Sequence, residues 1–266
     1  MTATGTELVN PGVELSDGVR LERLDIGYQG RPVLRGLDLT VRPREILVVL
    51  GPSGCGKSTL LRTIAGLQPA LSGEVVIDGT PVRGPGEGRA LVFQDDGLLP
   101  WRTVARNVEL PLAIRGVGRA ERRRVSRDWI ERVGLAGSEG RLPRQLSGGM
   151  RQRAQLARTL AGEPRIVLMD EPFGALDTQT RSTMQRLLVD VWHQTRSTVV
   201  FVTHDVDEAL TLADRIVVLS LNAPAVGAIV EVPGPRAATP GDPARRGLRD
   251  RVLGALESAG RPQETT

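Results

Sequence analysis

Ile46-Leu47-Val48-Val49-Leu50-Gly51-Pro52-Ser53-Gly54-Cys55-Gly56-Lys57-Ser58-Thr59 is the stretch that decides the architecture. Its first five residues are uninterruptedly apolar, with the length and branching of a strand buried on both faces. A turn rich in glycine follows, and the spacing predicts a helix over Lys57 to Ala65. Strand, glycine turn and helix in that order make a phosphate cradle: glycines let successive backbone N–H groups curl around an anion, and the helix N-terminus adds partial positive charge. Lys57 then reaches the outer phosphates, and the Ser58 hydroxyl ligates Mg²⁺. The candidate phosphate-binding residues are therefore Gly51, Pro52, Ser53, Gly54, Cys55, Gly56, Lys57, Ser58 and Thr59, with Cys55 read as a small filler at a variable position of the loop.

Outward from this loop, β-type segments are predicted at Val19 to Leu24, Leu37 to Val41, Glu74 to Ile77, Ala90 to Phe93, Arg165 to Met169, Thr198 to Thr203 and Arg215 to Leu219. The later ones are continuous apolar runs, as in a parallel sheet covered by helices. Helical patterns occupy Thr103 to Ile114, Glu121 to Val133, Gly148 to Ala161 and Thr178 to Gln194; in the last, Met184, Leu187, Leu188, Val191 and Trp192 repeat at helical spacing. The block from about 95 to 147 is mainly helical while its flanks alternate strands and helices, which predicts a helical subdomain inserted into an α/β domain over 19–233. Residues 1–18 read as a flexible tail. Beyond Leu219 the chain turns rich in Pro, Gly and Arg, with a strand predicted at Ala228 to Val232 and a short helix around Leu248 to Leu256 within a tail over 234–266.

Composition excludes several classes. With 40% hydrophobic and 25% charged residues in 266, the chain is an ordinary globular one. No run approaches the roughly 18 to 20 apolar residues of a bilayer span, and Met1 to Asn10 has neither the basic start nor the apolar core of a signal peptide, so the cytoplasm is the expected compartment. One cysteine, Cys55, cannot build an intrachain disulfide. The 35 basic and 31 acidic residues are interspersed, and no nucleic-acid partner is expected. The arginine run Arg119 to Arg127 reads as a solvated helix face backed by an apolar stripe of Val125, Trp129, Ile130 and Val133. Lys57 is the only lysine of the whole chain. A compact ammonium and a planar guanidinium are not interchangeable at a tight phosphate site.

Arg165-Ile166-Val167-Leu168-Met169-Asp170-Glu171 is an apolar run ending in two carboxylates, which a parallel sheet delivers to its carboxyl edge beside the phosphates. Asp170 suits the Mg²⁺ shell. Glu171, adjacent but not consumed by the metal, suits the general base that activates water. The guanine-reading pattern Asn-Lys-x-Asp is impossible because the only lysine is already in the phosphate loop, so ATP is favoured over GTP.

Leu146-Ser147-Gly148-Gly149-Met150, at the predicted start of a helix and followed by Arg151-Gln152-Arg153, resembles the signature motif of ABC ATPases, in which Gln or sometimes Met stands at the position of Met150. The resemblance runs from about Val19 to Leu219. It implies a P-loop NTPase fold, α/β with a mixed, largely parallel core sheet, an N-terminal antiparallel β part and the inserted α-helical subdomain. It further implies that Tyr28 stacks on adenine, that Gln94 touches Mg²⁺ and the attacking water and couples to membrane subunits, that Asp177 belongs to the D-loop, and that His204 is the switch histidine at the γ-phosphate. Ser147, Gly148 and Gly149 would clamp the ATP held by the P-loop of a second ATPase subunit, in a head-to-tail dimer of identical chains. The family resemblance also implies a place on the cytoplasmic face of the cell membrane, with two separate transmembrane permease subunits and an extracytoplasmic solute-binding protein.

The segment Val92-Phe93-Gln94-Asp95-Asp96-Gly97-Leu98-Leu99-Pro100-Trp101 is similar to the subfamily that imports nitrate, taurine and aliphatic sulfonates. Bicarbonate, a thiamine precursor or export of another cargo stay open as alternatives on the same chemistry. A non-transport ABC ATPase is the remaining alternative; such proteins usually carry two ATPase modules, a long coiled coil or zinc-binding cysteines.

Overall fold

The computed structural model describes residues 18–260 apart from 96, 223 and 235–242; the expectation for residues 1–17 lies outside them. Two long antiparallel strands come first, β1 (Val19–Tyr28) and β2 (Arg31–Val41). Both outrun the segments predicted from alternation, because irregularities break the two-residue period. Arg23 and Gly36 adopt left-handed backbone, φ 43° and 59°, and the register shifts between Leu21 and Leu24. A bulge strips N–H groups from the ladder, and here aspartates across the pair take them: Asp38 accepts from Arg23 N–H at 2.8 Å and Asp25 from Gly36 N–H at 2.7 Å.

β3 (Ile46–Leu50) and α1 (Lys57–Ala65) fall where predicted. β4 (Ser72–Ile77) and the two-residue β5 (Thr80–Pro81) join the first two strands in a four-stranded antiparallel sheet of order β2-β1-β4-β5. After β6 (Arg89–Val92) come α2 (Val104–Ile114), α3 (Arg119–Arg132), a 3-10 turn at Pro143–Gln145 and α4 (Gly148–Ala161); α2 and α3 pack on each other and on α4. The chain then alternates through β7 (Ile166–Asp170), α5 (Thr178–Thr195), β8 (Thr198–Val202), α6 (Val206–Leu212), β9 (Arg215–Leu219) and β10 (Val226–Glu231), and ends its described part in α7 (Pro243–Gly260).

The larger sheet has the order β10-β9-β3-β8-β7-β6 and is parallel except for the β9–β10 pair. Alternate residues of β3 feed opposite cores. Ile46, Val48 and Leu50 pack with Phe201, Met184 and Trp192 on the helical side, whereas Leu47 and Val49 join Leu60 and Ile64 of α1 and Leu21 and Leu37 of the antiparallel sheet. Both faces of β3 are thus dry, which is why its sequence is apolar without alternation.

Two helices differ from the sequence reading. α6 was not predicted: at seven residues it is too short to show a period, although its Asp205 cap and the first-turn acids Asp207 and Glu208 are start signals. α7 spans 18 residues where only a short helix was predicted, its interior glycines at 247 and 254 weakening the helical pattern. Packing decides the outcome: Val252 and Ala259 are buried, α7 lies on β9, β10 and α6, and Arg249 pairs with Asp207 at 2.9 Å.

Candidate nucleotide-binding site

In the parallel register Val49 lies opposite Val202 and Val202 opposite Asp170, so β3, β8 and β7 end at one edge. From that edge β3 delivers the Gly51 to Gly56 loop, β7 delivers Asp170 and Glu171, and His204 follows β8. Gln94 stands one strand further along, because Val92 of β6 pairs with Met169.

Two glycines of the loop are sterically required. A Cβ on Gly51 would stand 2.8 Å from the Sγ of buried Cys55, and Gly56, with φ 97°, would put one 2.9 Å from Val33. Burial pushes the Cys55 thiol up, which suits a filler rather than a nucleophile. Lys57 is 9% exposed and donates from Nζ to the carbonyls of Gly51 at 2.8 Å and Pro52 at 2.9 Å. The ammonium therefore spans the loop from inside, with a third N–H left to point elsewhere. Thr59 and Arg62, on α1, both donate to the Tyr28 hydroxyl, at 3.2 and 3.1 Å, holding that half-exposed ring beside the loop.

Ser58 donates its hydroxyl to Asp170 Oδ1 at 3.0 Å across the edge. Burial pushes the Asp170 carboxyl up, opposed by the Ser58 hydrogen bond and reinforced by the neighbouring Glu171. A carboxylate whose folded pKa is raised favours folding below its ordinary pKa and loses that contribution as pH rises through the folded value. At neutral pH the charged Asp170 is a burden on stability. Asp170→Asn is accordingly expected to raise the melting temperature near pH 7, the gain shrinking as pH falls and the native carboxyl protonates; thermal denaturation from pH 4 to 8 checks this, and an unchanged or lowered melting point at pH 7 overturns it.

Glu171 has left-handed backbone, φ 45°, unusual for a glutamate. Its N–H is held by the Val202 carbonyl at 3.0 Å, and its Oε2 lies 2.9 Å from His204 Nδ1. A carboxylate only accepts, so this contact puts a proton on Nδ1 and turns Nε2 to the other side of the ring. Strain at Glu171 thus coincides with the group the sequence singles out as base.

Gln94 is exposed. The carbonyls on either side of it, Phe93 and Asp95, accept from the amide of Gln155 at 3.2 and 3.1 Å. Gln155 on α4 is 1% exposed. The sequence reading missed it, although a glutamine among Ala154, Leu156 and Ala157 on a buried face was a signal. Arg181 was missed as well: it donates to the Leu176 carbonyl at 3.2 Å and to Asp205 at 3.3 Å, joining the start of α5 to the residue after His204.

Ser147 caps α4, accepting from Met150 N–H at 3.3 Å. Gly148 and Gly149 follow it, and a Cβ on Gly149 would stand 2.7 Å from Thr180. Asp177 caps α5 and is held below the usual carboxylate range by hydrogen bonds from Thr180 and Gln179. The main neighbours of α4 are α2, α3, β6 and α5, while those of α1 are β7, β6, β1 and β8. The fold therefore gathers Tyr28, the glycine loop, Asp170, Glu171 and His204, with Gln94 one strand on; Ser147, Gly148 and Gly149 open α4 away from α1, and Asp177 opens α5, which Arg181 ties to the residue after His204.

A parallel sheet whose central strand feeds a glycine loop into a helix, beside a strand ending in Asp-Glu, defines a P-loop nucleotide-hydrolase fold. The chain matches the ABC transporter family over residues 34–174. It is 51% identical over 199 residues to an uncharacterized ABC transporter ATP-binding protein of Methanocaldococcus jannaschii, covering 75% of this chain and 74% of the relative. It is 49% identical over 215 residues to the taurine import ATP-binding protein TauB of Pseudomonas entomophila, covering 80% and 82%. Among solved structures, an ATP-binding cassette described as a dimer in a post-hydrolysis state bound to ADP and Pi superposes with a TM-score of 0.72 at 32% identity, over 81% of this chain and 99% of that one. The chain belongs to the ABC transporter family, as an ATP-hydrolysing subunit. No helix among the described residues is long and apolar enough to cross a membrane.

Proposed function

We propose that this subunit energises import of a small sulfonate, with taurine as the first candidate, through permease subunits on separate chains. The chemistry rests on one observation above all: Glu171, one residue beyond the Asp170 that receives the Ser58 hydroxyl, is held by His204 at 2.9 Å. The cargo rests on similarity to taurine import subunits over most of the chain.

ATP would seat its phosphates on the loop amides and Lys57, with adenine against Tyr28. Ser58 and Asp170 offer hard oxygen donors at 3.0 Å from one another, a set that fits Mg²⁺, and with Gln94 they are the residues that would hold it. The ion, when bound, neutralises charge on the phosphoryl oxygens. Glu171 accepts a proton from the attacking water while His204 fixes its orientation and approaches the γ-phosphate. Ser147, Gly148 and Gly149, set apart from the loop of their own chain, would serve the ATP of a second copy; the dimeric cassette relative supports this arrangement. Closure on ATP and release on hydrolysis would reach the permease at the segment around Gln94, where the indole of Trp101 is 72% exposed and Phe93 43% exposed.

Deletion of the gene in its source organism, followed by uptake of radiolabelled taurine and nitrate, tests the cargo. Loss of taurine uptake alone, restored by the intact gene and not by a Glu171→Gln copy, is the expected result. Loss of nitrate uptake instead reassigns the cargo; unchanged uptake of both overturns the assignment to this group of oxyanions.

A further inference from the structure

At the end of the sheet opposite the nucleotide edge, beside the starts of β7 and β8, a cavity of about 770 Å³ opens between the sheet and α3. That volume suits a small organic ligand. Its walls are rich in arginine, and part of that charge is spent: Arg124 pairs with Glu121 and Asp128, and Arg165 with Asp78. Arg44, Arg132 and Arg196 also line it, and among the described residues none of these three guanidinium groups pairs with a carboxylate. Two of them lie over indole rings, Arg132 at 5.0 Å from the centre of Trp129 and Arg196 at 4.9 Å from that of Trp192. A guanidinium over a ring face is attracted to it without spending its N–H donors, which stay available to an oxyanion.

Backbone strain gathers at the same place. Seven described non-glycine residues have left-handed backbone, and four of them, Arg44, Asp78, Glu163 and Arg196, line this cavity. A fifth is Glu171, at the candidate catalytic edge. Arg44 (φ 63°) and Arg196 (φ 53°) stand where glycine would be less strained. The turns thus keep a cation at the cavity in a conformation that glycine would adopt more easily.

We propose that the cavity binds a small organic dianion, two phosphate, sulfonate or carboxylate groups on an apolar body. Arg132 and Arg196 each grip one group, Arg44 adds a third cation, and half-buried Val125 of α3 packs against the body. The ligand so held ties α3 to the starts of β7 and β8, the strands whose far ends lead to Asp170, Glu171 and His204.

Calorimetric titration of naphthalene-1,5-disulfonate into the full chain saturated with Mg²⁺-ADP, which fills the phosphate loop, tests this directly. One molecule is expected to bind per chain. Arg132→Ala and Arg196→Gly should each weaken it about tenfold, and the pair about a hundredfold, as loss of charge-assisted hydrogen bonds predicts, with ADP affinity unchanged. Arg196→Gly removes the guanidinium yet suits the left-handed backbone, so a folding defect does not mimic the result. Absence of saturable binding, binding seen only without ADP, or binding that both variants leave within about twofold of the starting value overturns the proposal.

Discussion

Glu171→Gln is expected to lower ATP turnover by about 10²- to 10⁴-fold, the range in which a positioned general base contributes, while nucleotide still binds. The substitution is nearly isosteric, and the amide oxygen can still accept from His204 Nδ1, 2.9 Å from the native carboxylate. The left-handed backbone at φ 45° and the 3.0 Å bond from the Glu171 N–H to the Val202 carbonyl are independent of the side chain. What disappears is the capacity to take a proton from water. If two copies clamp each ATP, the variant should also accumulate as an ATP-filled dimer, because the hydrolysis that opens the clamp no longer occurs. Phosphate release and size-exclusion chromatography with Mg²⁺-ATP measure both effects. A variant keeping more than about a tenth of native turnover assigns the base to another group, and one that loses turnover but stays monomeric with ATP removes the shared-site arrangement while sparing Glu171.

How far the sequence could be read follows from where its signals are local. The Ile46 to Thr59 segment carries strand, turn and helix within a few residues, and β3 and α1 follow its pattern without adjustment. The adjacent acids of β7 and the helix-opening Ser147 are legible for the same reason, since a cap or a strand end is written in neighbouring residues. Irregular pairing is not. β1 and β2 continue past Arg23 and Gly36 because Asp38 and Asp25, distant in sequence, repair the ladder there. Gln155 was hidden by distance too: its partners Phe93 and Asp95 lie some sixty positions away, and only the tertiary fold brings the α4 amide under the Gln94 segment. Helix α7 looked like a tail because the residues that hold it, on β9, β10 and α6, are not its neighbours in the chain. The cavity arginines are the extreme case, since composition registers their charge but neither the indoles beneath them nor the left-handed turns that present two of them.

Lys57→Arg, which leaves the net charge unchanged, is expected to weaken ATP binding by about a hundredfold or more, equivalent to about 3 kcal/mol. The reason is shape. Nζ of Lys57 sits 2.8 Å from the Gly51 carbonyl and 2.9 Å from that of Pro52, in a space leaving the residue 9% exposed. A guanidinium is longer and planar; it cannot place one point charge between two carbonyls of a single turn while keeping a donor for the phosphates. Accommodating it means opening the loop, where even a Cβ added at Gly51 or Gly56 would stand under 3 Å from Cys55 or Val33. The chain itself makes the same statement, using arginine at every basic position except this one. Titration with a fluorescent ATP analogue, at two ionic strengths to separate general charge attraction from local fit, provides the measurement. Affinity within about threefold of native at both salt concentrations would mean that charge alone suffices at this position, and the shape argument would be lost.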